Sequence, residues 1–165
     1  MRVTLAIALA SALAGCSGTI EDGTGGPDAG AGGGPGSEGE PTPPPRKVDI
    51  TGPAVLPHVQ AFADAVCGAT DACTIGTRVG HSPSAERALD ILTSDAYGER
   101  SSDGNALGDR VAKFALDHQA EFGVMYVIWL QRYNDGGGWD PMEDRGSITA
   151  NHFDHVHVSF ETTAP

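Results

Sequence analysis

The apolar positions of this chain change period along its length, and each change predicts a different element. Over residues 53–66, PAVLPHVQAFADAV, they recur at helical spacing, with proline early enough that its missing N–H matters little. CTIGTRV (73–79) and RALDIL (87–92) are short runs rich in β-branched and aliphatic residues, and each predicts a strand. TSDAYGERSSDGN is polar and reads as a surface loop. From Asp103 the helical period returns: Leu107, Val111, Phe114, His118 and Phe122 share one face, with Asp103 as N-cap and Gly123 as stop. VMYVIWL (124–130) is a continuous apolar run, the mark of a central strand buried on both faces. A long Gly-rich loop, QRYNDGGGWDPMEDRGSITAN, comes next, and loops of that length tend to be functional. The chain closes on NHFDHVHVSF, whose Val156, Val158 and Phe160 alternate with His155, His157 and Ser159. Alternation of this kind predicts a half-buried strand with imidazoles on an open face. Helices and strands mix without a βαβ rhythm, so the fold class is α+β.

The N-terminal third follows none of these periods. MRVTLAIALASALAGCSGTI has a basic start, a short apolar run and a small-residue end, the pattern of a secretory signal over residues 1–15. The run is too short to span a bilayer. Leu13-Ala14-Gly15-Cys16 resembles the lipobox of bacterial lipoproteins, which implies cleavage before Cys16, its lipidation, and a membrane anchor. Ser17, where those lipoproteins can carry a retaining Asp, points to the outer membrane in a cell that has one. Residues 16–46 are Gly, Pro, Ser and acid with almost no apolar side chain, a composition expected to form a disordered tether. Such a chain has a mean reach of roughly 30 Å, and full extension gives about 100 Å. One domain is expected over 47–165.

That domain carries 17 acidic against 8 basic residues, a net charge of −9. It has no basic stripe, which excludes nucleic acid as a partner. Cys67 and Cys73 remain as an even pair in an exported domain and predict a disulfide.

The candidate chemistry lies at the C-terminal end. His155 and His157 on one strand face are close enough to serve one ion. A structural zinc site wants four protein ligands and a catalytic one keeps three and an open position, so further donors are needed. The well-placed ones are His81 and Asp90, in GHSPSAERALDIL. Asp90 stands inside an otherwise apolar strand, where a carboxylate needs a cation partner.

With these residues together, residues 73–160 resemble the LAS-type zinc peptidases, named for lysostaphin, D-alanyl-D-alanine carboxypeptidases and sonic hedgehog. His152-x-x-His155-x-His157 resembles the end motif of murein endopeptidases. YVIW, the Gly-Trp loop and NHFDHVHVSF also resemble a C-terminal domain of exported actinobacterial cell-wall proteins. The resemblance implies a hedgehog/DD-peptidase-like fold, a central antiparallel sheet with flanking helices. It further implies one zinc held by His81, Asp90 and His157, with His155 and His152 as active-site histidines. Arg78 matches an arginine that faces the oxyanion. Asp154 holds the position of the general-base glutamate in the carboxypeptidases, and His155 is the favoured base. Two departures stand out: His81 and Asp90 are nine residues apart where the family has seven, and SPSAE replaces its Gly turn.

The expected function is therefore hydrolysis of an amide in peptidoglycan peptides by a monomeric, membrane-anchored zinc peptidase. The rival within the same fold is a non-catalytic, zinc-stabilised cell-wall-binding module. Two His and one Asp are also the triad of non-haem iron oxygenases, which the helix content and the export signal disfavour.

Overall fold

The computed structural model describes residues 46–164. The expected signal peptide, Cys16 and the tether up to residue 45 lie outside the described residues. Among those described, no helix is long and apolar enough to cross a membrane.

The architecture is α+β. In chain order the elements are α1 (Pro57–Thr70), β1 (Ile75–Gly76), β2 (Ala88–Leu92), α2 (Ser102–Asp117), α3 (Gln119–Phe122), β3 (Val124–Trp129), β4 (Arg132–Asn134), β5 (Asp140–Pro141) and β6 (His155–Phe160). One six-stranded sheet has the order β1-β2-β6-β3-β4-β5, and every strand pair in it is antiparallel. The chain's last strand thus lies at the centre, between β2 and β3.

Register sorts the side chains into two faces. Leu89 pairs with Val158 and Ile91 with Val156, while Val127 also faces Val158. These join Phe160 and Trp129 in one buried cluster with Val59, Phe62 and Val66 of α1 and Val111, Ala112 and Ala115 of α2. Asp90 pairs with His157, Leu92 with His155, and Ile128 with His157. The opposite face is therefore the polar one.

α1 begins with Pro57 at its first turn and ends on Asp71, which adopts φ 66° and returns its N–H to Cys67 O. Cys67, in that last turn, is disulfide-bonded to Cys73, so the helix end is stapled to the segment leading into β1. α2 starts two residues before the expected position. Its N-cap is Ser101, whose hydroxyl accepts from Gly104 N, and not Asp103. The expected single helix to Phe122 breaks at His118, leaving α2 and the one-turn α3, which ends on Gly123 with φ 66°. Gly108 is obligatory in α2, because a Cβ there would lie 2.1 Å from the Trp129 ring.

Three further expectations are corrected. Of 73–79, only Ile75–Gly76 pairs, because the chain turns away after Thr77 toward His81. The Gly-rich loop contains β4 and β5, which extend the sheet beyond β3. β6 is not half-buried: all six residues are buried, because loops from 77–84, 93–101 and 143–154 cover its histidine face.

Candidate metal centre

Three chain segments bring the site together. His81 comes from the loop after β1, Asp90 from the middle of β2 and His157 from the middle of β6. All three are buried, and one donor atom from each lies within 4.8 Å of the others. His81 Nε2 is 2.9 Å from Asp90 Oδ1, His157 Nδ1 is 3.0 Å from the same oxygen, and His155 Nε2 is 3.5 Å from it. The nine-residue spacing is absorbed by the turn 82–84 and a single 3-10 turn over Ala85–Arg87, so His81 still reaches Asp90.

Hydroxyl and carboxylate partners fix which nitrogen of each ring carries the proton. The Thr77 hydroxyl donates to Ala85 O at 2.6 Å, so its oxygen accepts from His81 Nδ1–H at 3.2 Å. Ser159 donates to Ser82 O at 3.1 Å and accepts from His157 Nε2–H at 2.9 Å. Asp154 Oδ1 accepts from His155 Nδ1–H at 2.6 Å. In the neutral tautomer, each ring then turns a lone pair toward Asp90 Oδ1, itself an acceptor. Acceptors facing acceptors at 2.9–3.5 Å repel unless a proton or a cation lies between them. A second proton on His157 is opposed by burial, which lowers its pKa. A divalent cation relieves the conflict, and partners behind the ligands that fix tautomers in this way are the usual support of a metal site.

Burial alone would raise the Asp90 carboxyl, but a proton held between its Oδ1 and the His157 or His81 ring, together with the nearby His155, holds it far below the usual carboxylate range. Asp90 therefore stays anionic. Arg78 is not the cation partner expected for it, since its Nε is 4.0 Å away and its side chain is 73% exposed; that partner is the proton or metal ion the imidazoles would hold against Asp90.

Asp154 is not placed to act as a free base. It is fully buried, and its second oxygen is taken by Gly98 N–H and the Thr149 hydroxyl. Burial would raise its pKa, but these bonds and His155 lower it. The carboxylate instead ties His155 to two loops at once. His152 sits beside the set, its ring 4.7 Å from that of His155 and 5.7 Å from that of His157. Its Nδ1 is buried without a hydrogen-bond partner among the described residues. Burial, reinforced by His155 and His157, pushes its pKa down to about 3, so the ring is neutral.

The backbone holding His152 is strained. His152, Leu130 and Gln131 adopt φ of 56°, 50° and 58°, the left-handed region that non-glycine residues avoid at a penalty of about 1 kcal/mol or more each. Leu130 and Gln131 form the two-residue turn between β3 and β4, and their N–H groups donate to His152 O and Asn151 O. No glycine or asparagine marks that turn in the sequence. Two aromatic residues at the site also went unforeseen. The Tyr97 hydroxyl donates to Asp90 Oδ2 at 3.4 Å, and its ring meets His155 edge-on at 5.4 Å. Tyr126 stacks on His157 at 5.9 Å. Strand parity could have found Tyr126, which pairs with Ser159; nothing local marks Tyr97.

Two clefts open on the triad. One, of about 450 Å³, runs past Asp90, Tyr97, Leu92 and the strand Ile75–Gly76. The other, of about 320 Å³, has His81, His152 and His157 in its wall. Arg78 lines both.

Fold and site define an α+β domain with a buried His-Asp-His group suited to one metal ion. The chain belongs to the VldE C-terminal domain family, whose match covers residues 51–153 and so takes in His81, Asp90 and His152. It is also 32% identical over 84 residues to an "Uncharacterized secreted protein" of Arthroderma benhamiae, covering 40% of this chain and 34% of that protein. The chain thus spans about a third of that relative's length. No solved structure matches it.

Proposed function

We propose that this protein is a zinc-dependent peptidoglycan peptidase of the LAS type, with a hedgehog/DD-peptidase-like fold, exported and anchored through Cys16. The observation that carries this is the set of three tautomer-fixed imidazoles converging on Asp90, with only His81, Asp90 and His157 grouped as ligands among the described residues. Three ligands leave a coordination position open, as catalytic zinc requires, whereas a structural site closes with four. Asp154 cannot close it, since both its oxygens are committed. The secreted relative supports export.

Zinc bound there supplies Lewis acidity, which polarises the scissile carbonyl and makes water more acidic. His155 does the proton work. Its Nε2 faces the triad, and its Nδ1–H is held by Asp154, so a proton taken at Nε2 gives an imidazolium paired with a carboxylate. His152, neutral and adjacent, orients the substrate amide, and Arg78 offers donors to the developing oxyanion from the cleft mouth.

The test is metal content of the full chain, followed by digestion of muropeptides. One zinc per chain, lost in both His157→Ala and Asp90→Ala, with amide cleavage by the wild type alone, is the expected result. Zinc bound without cleavage of any muropeptide makes the domain a zinc-stabilised wall-binding module instead. A wild type that binds no zinc overturns both.

A further inference from the structure

The domain is acidic, yet the two clefts that open on the triad are lined by two arginines. Arg78 borders both clefts and Arg145 borders the one with His81, His152 and His157 in its wall. The other arginines of the domain are engaged. Arg87 donates to Phe160 O, Arg100 lies over the Phe153 ring, Arg110 donates to Thr70 O and Arg132 lies over Trp139. Among the described residues the Arg145 side chain has no hydrogen bond, ion pair or ring contact. Its backbone, in contrast, is held firmly. Arg145 N donates to Asn151 Oδ1, and Asn151 Nδ2 donates to Asp144 Oδ1, which also accepts from Gly146 N. The same segment is tied to His152 through Asn151 N to Ser147 O and His152 N to Thr149 O. A free guanidinium is therefore presented from a loop locked to the catalytic histidines.

The opposite cleft differs in kind. Apart from Arg78 and Asp90 it is walled by Thr51, Ile75, Leu92, Tyr97 and their neighbours, and is mostly apolar. The two sides of the triad thus accept different chemistry.

We propose that Arg145 binds a carboxylate of the substrate on the His152 side of the scissile amide, while the uncharged half lies along the Tyr97 cleft. Planar guanidinium matches planar carboxylate, and two parallel N–H···O bonds give the pair geometric specificity. The proposal rests on the peptidase reading for its substrate, and it adds which substrates are chosen and in which direction they lie.

The experiment uses zinc-loaded full chain and two stem peptides identical except that one has its carboxyls free and its twin has them amidated. Binding and cleavage are both measured for wild type, Arg145→Met and Arg145→Lys, with zinc content checked in each. A hydrogen bond to a charged group predicts a preference of roughly tenfold or more for the free acid. Arg145→Met should erase it, mainly through KM, and Arg145→Lys should keep part of it. Cleavage of both twins with equal efficiency by the wild type overturns the carboxylate site and leaves the peptidase standing. Binding preference that depends on Arg145, without cleavage, overturns the peptidase and leaves the site standing. A preference that survives Arg145→Met assigns the carboxylate elsewhere and overturns the proposal.

Discussion

The two faces of β6 are built from alternate residues of one six-residue strand, and they hold the molecule together in opposite ways. Val156, Val158 and Phe160 face α1 and α2 in a fully buried apolar cluster, where Phe160 meets the Phe62 ring at 5.0 Å. Nothing on that face needs a partner from outside. His155, His157 and Ser159 are equally buried but face Asp90, Tyr126 and Ile128. There the polar groups are satisfied on the outer side by Asp154, Ser159 and Thr77, and left in conflict at the centre. One face is complete without a ligand. The other is complete only with a proton or a cation in it. Stability and chemistry are thus separated by a single residue of strand parity, and substitutions should separate them too.

The largest effect should come from Asp90→Ala, which removes the charge on which three imidazoles converge. Metal binding measured by titration with a chromophoric chelator should weaken beyond the ~100-fold that loss of a supporting residue costs. The metal-free fold should survive, as seen by circular dichroism. The core face should answer in the reverse sense. Phe160→Ala should lower the unfolding free energy by about 3–5 kcal/mol in denaturant, while the fraction still folded binds metal with wild-type affinity. If Phe160→Ala loses metal and stability in parallel, the two faces are not independent.

Smaller effects sharpen the comparison. Asp154→Asn, Ser159→Ala and Thr77→Val each remove a group that fixes a tautomer. Ser159→Ala and Thr77→Val should cost about 10–100-fold in metal affinity, and Thr77→Ser should restore it. Asp154→Asn should keep the zinc and lose hydrolysis by a similar factor, because His155 is outside the ligand group. The smallest effect belongs to the staple at the margin of the apolar cluster. Replacing Cys67 and Cys73 by Ser opens a short loop and should lower stability by about 2 kcal/mol, with metal affinity unchanged.

Much of this was legible in the sequence. The alternation in HVHVSF placed the histidines on one face, and an aspartate in an apolar strand announced a partner. The Cys pair and Gly123 marked a staple and a helix stop, and both stand as expected. Elsewhere the signals misled. Asp103 resembled an N-cap as well as Ser101 does, since both are good acceptors two residues apart. The Gly-rich loop hid β4 and β5, which are too short to show a period. Asp154 holds the spacing from His157 of the general-base glutamate in the carboxypeptidases, although His155 is the favoured base. Its spacing held, but Thr149 and Gly98, distant in sequence, took its second oxygen.

By itself the sequence determined the elements whose information is local: the apolar period of α1 and α2, the parity of β2 and β6, and the identity of the donors. Only the tertiary structure decided that the last strand is central, that the histidine face is covered, and that Thr77, Ser159 and Asp154 stand behind three rings. The reason is that a hydrogen bond between partners up to 77 residues apart leaves no period in the chain. It exists only once the sheet order has brought its ends together.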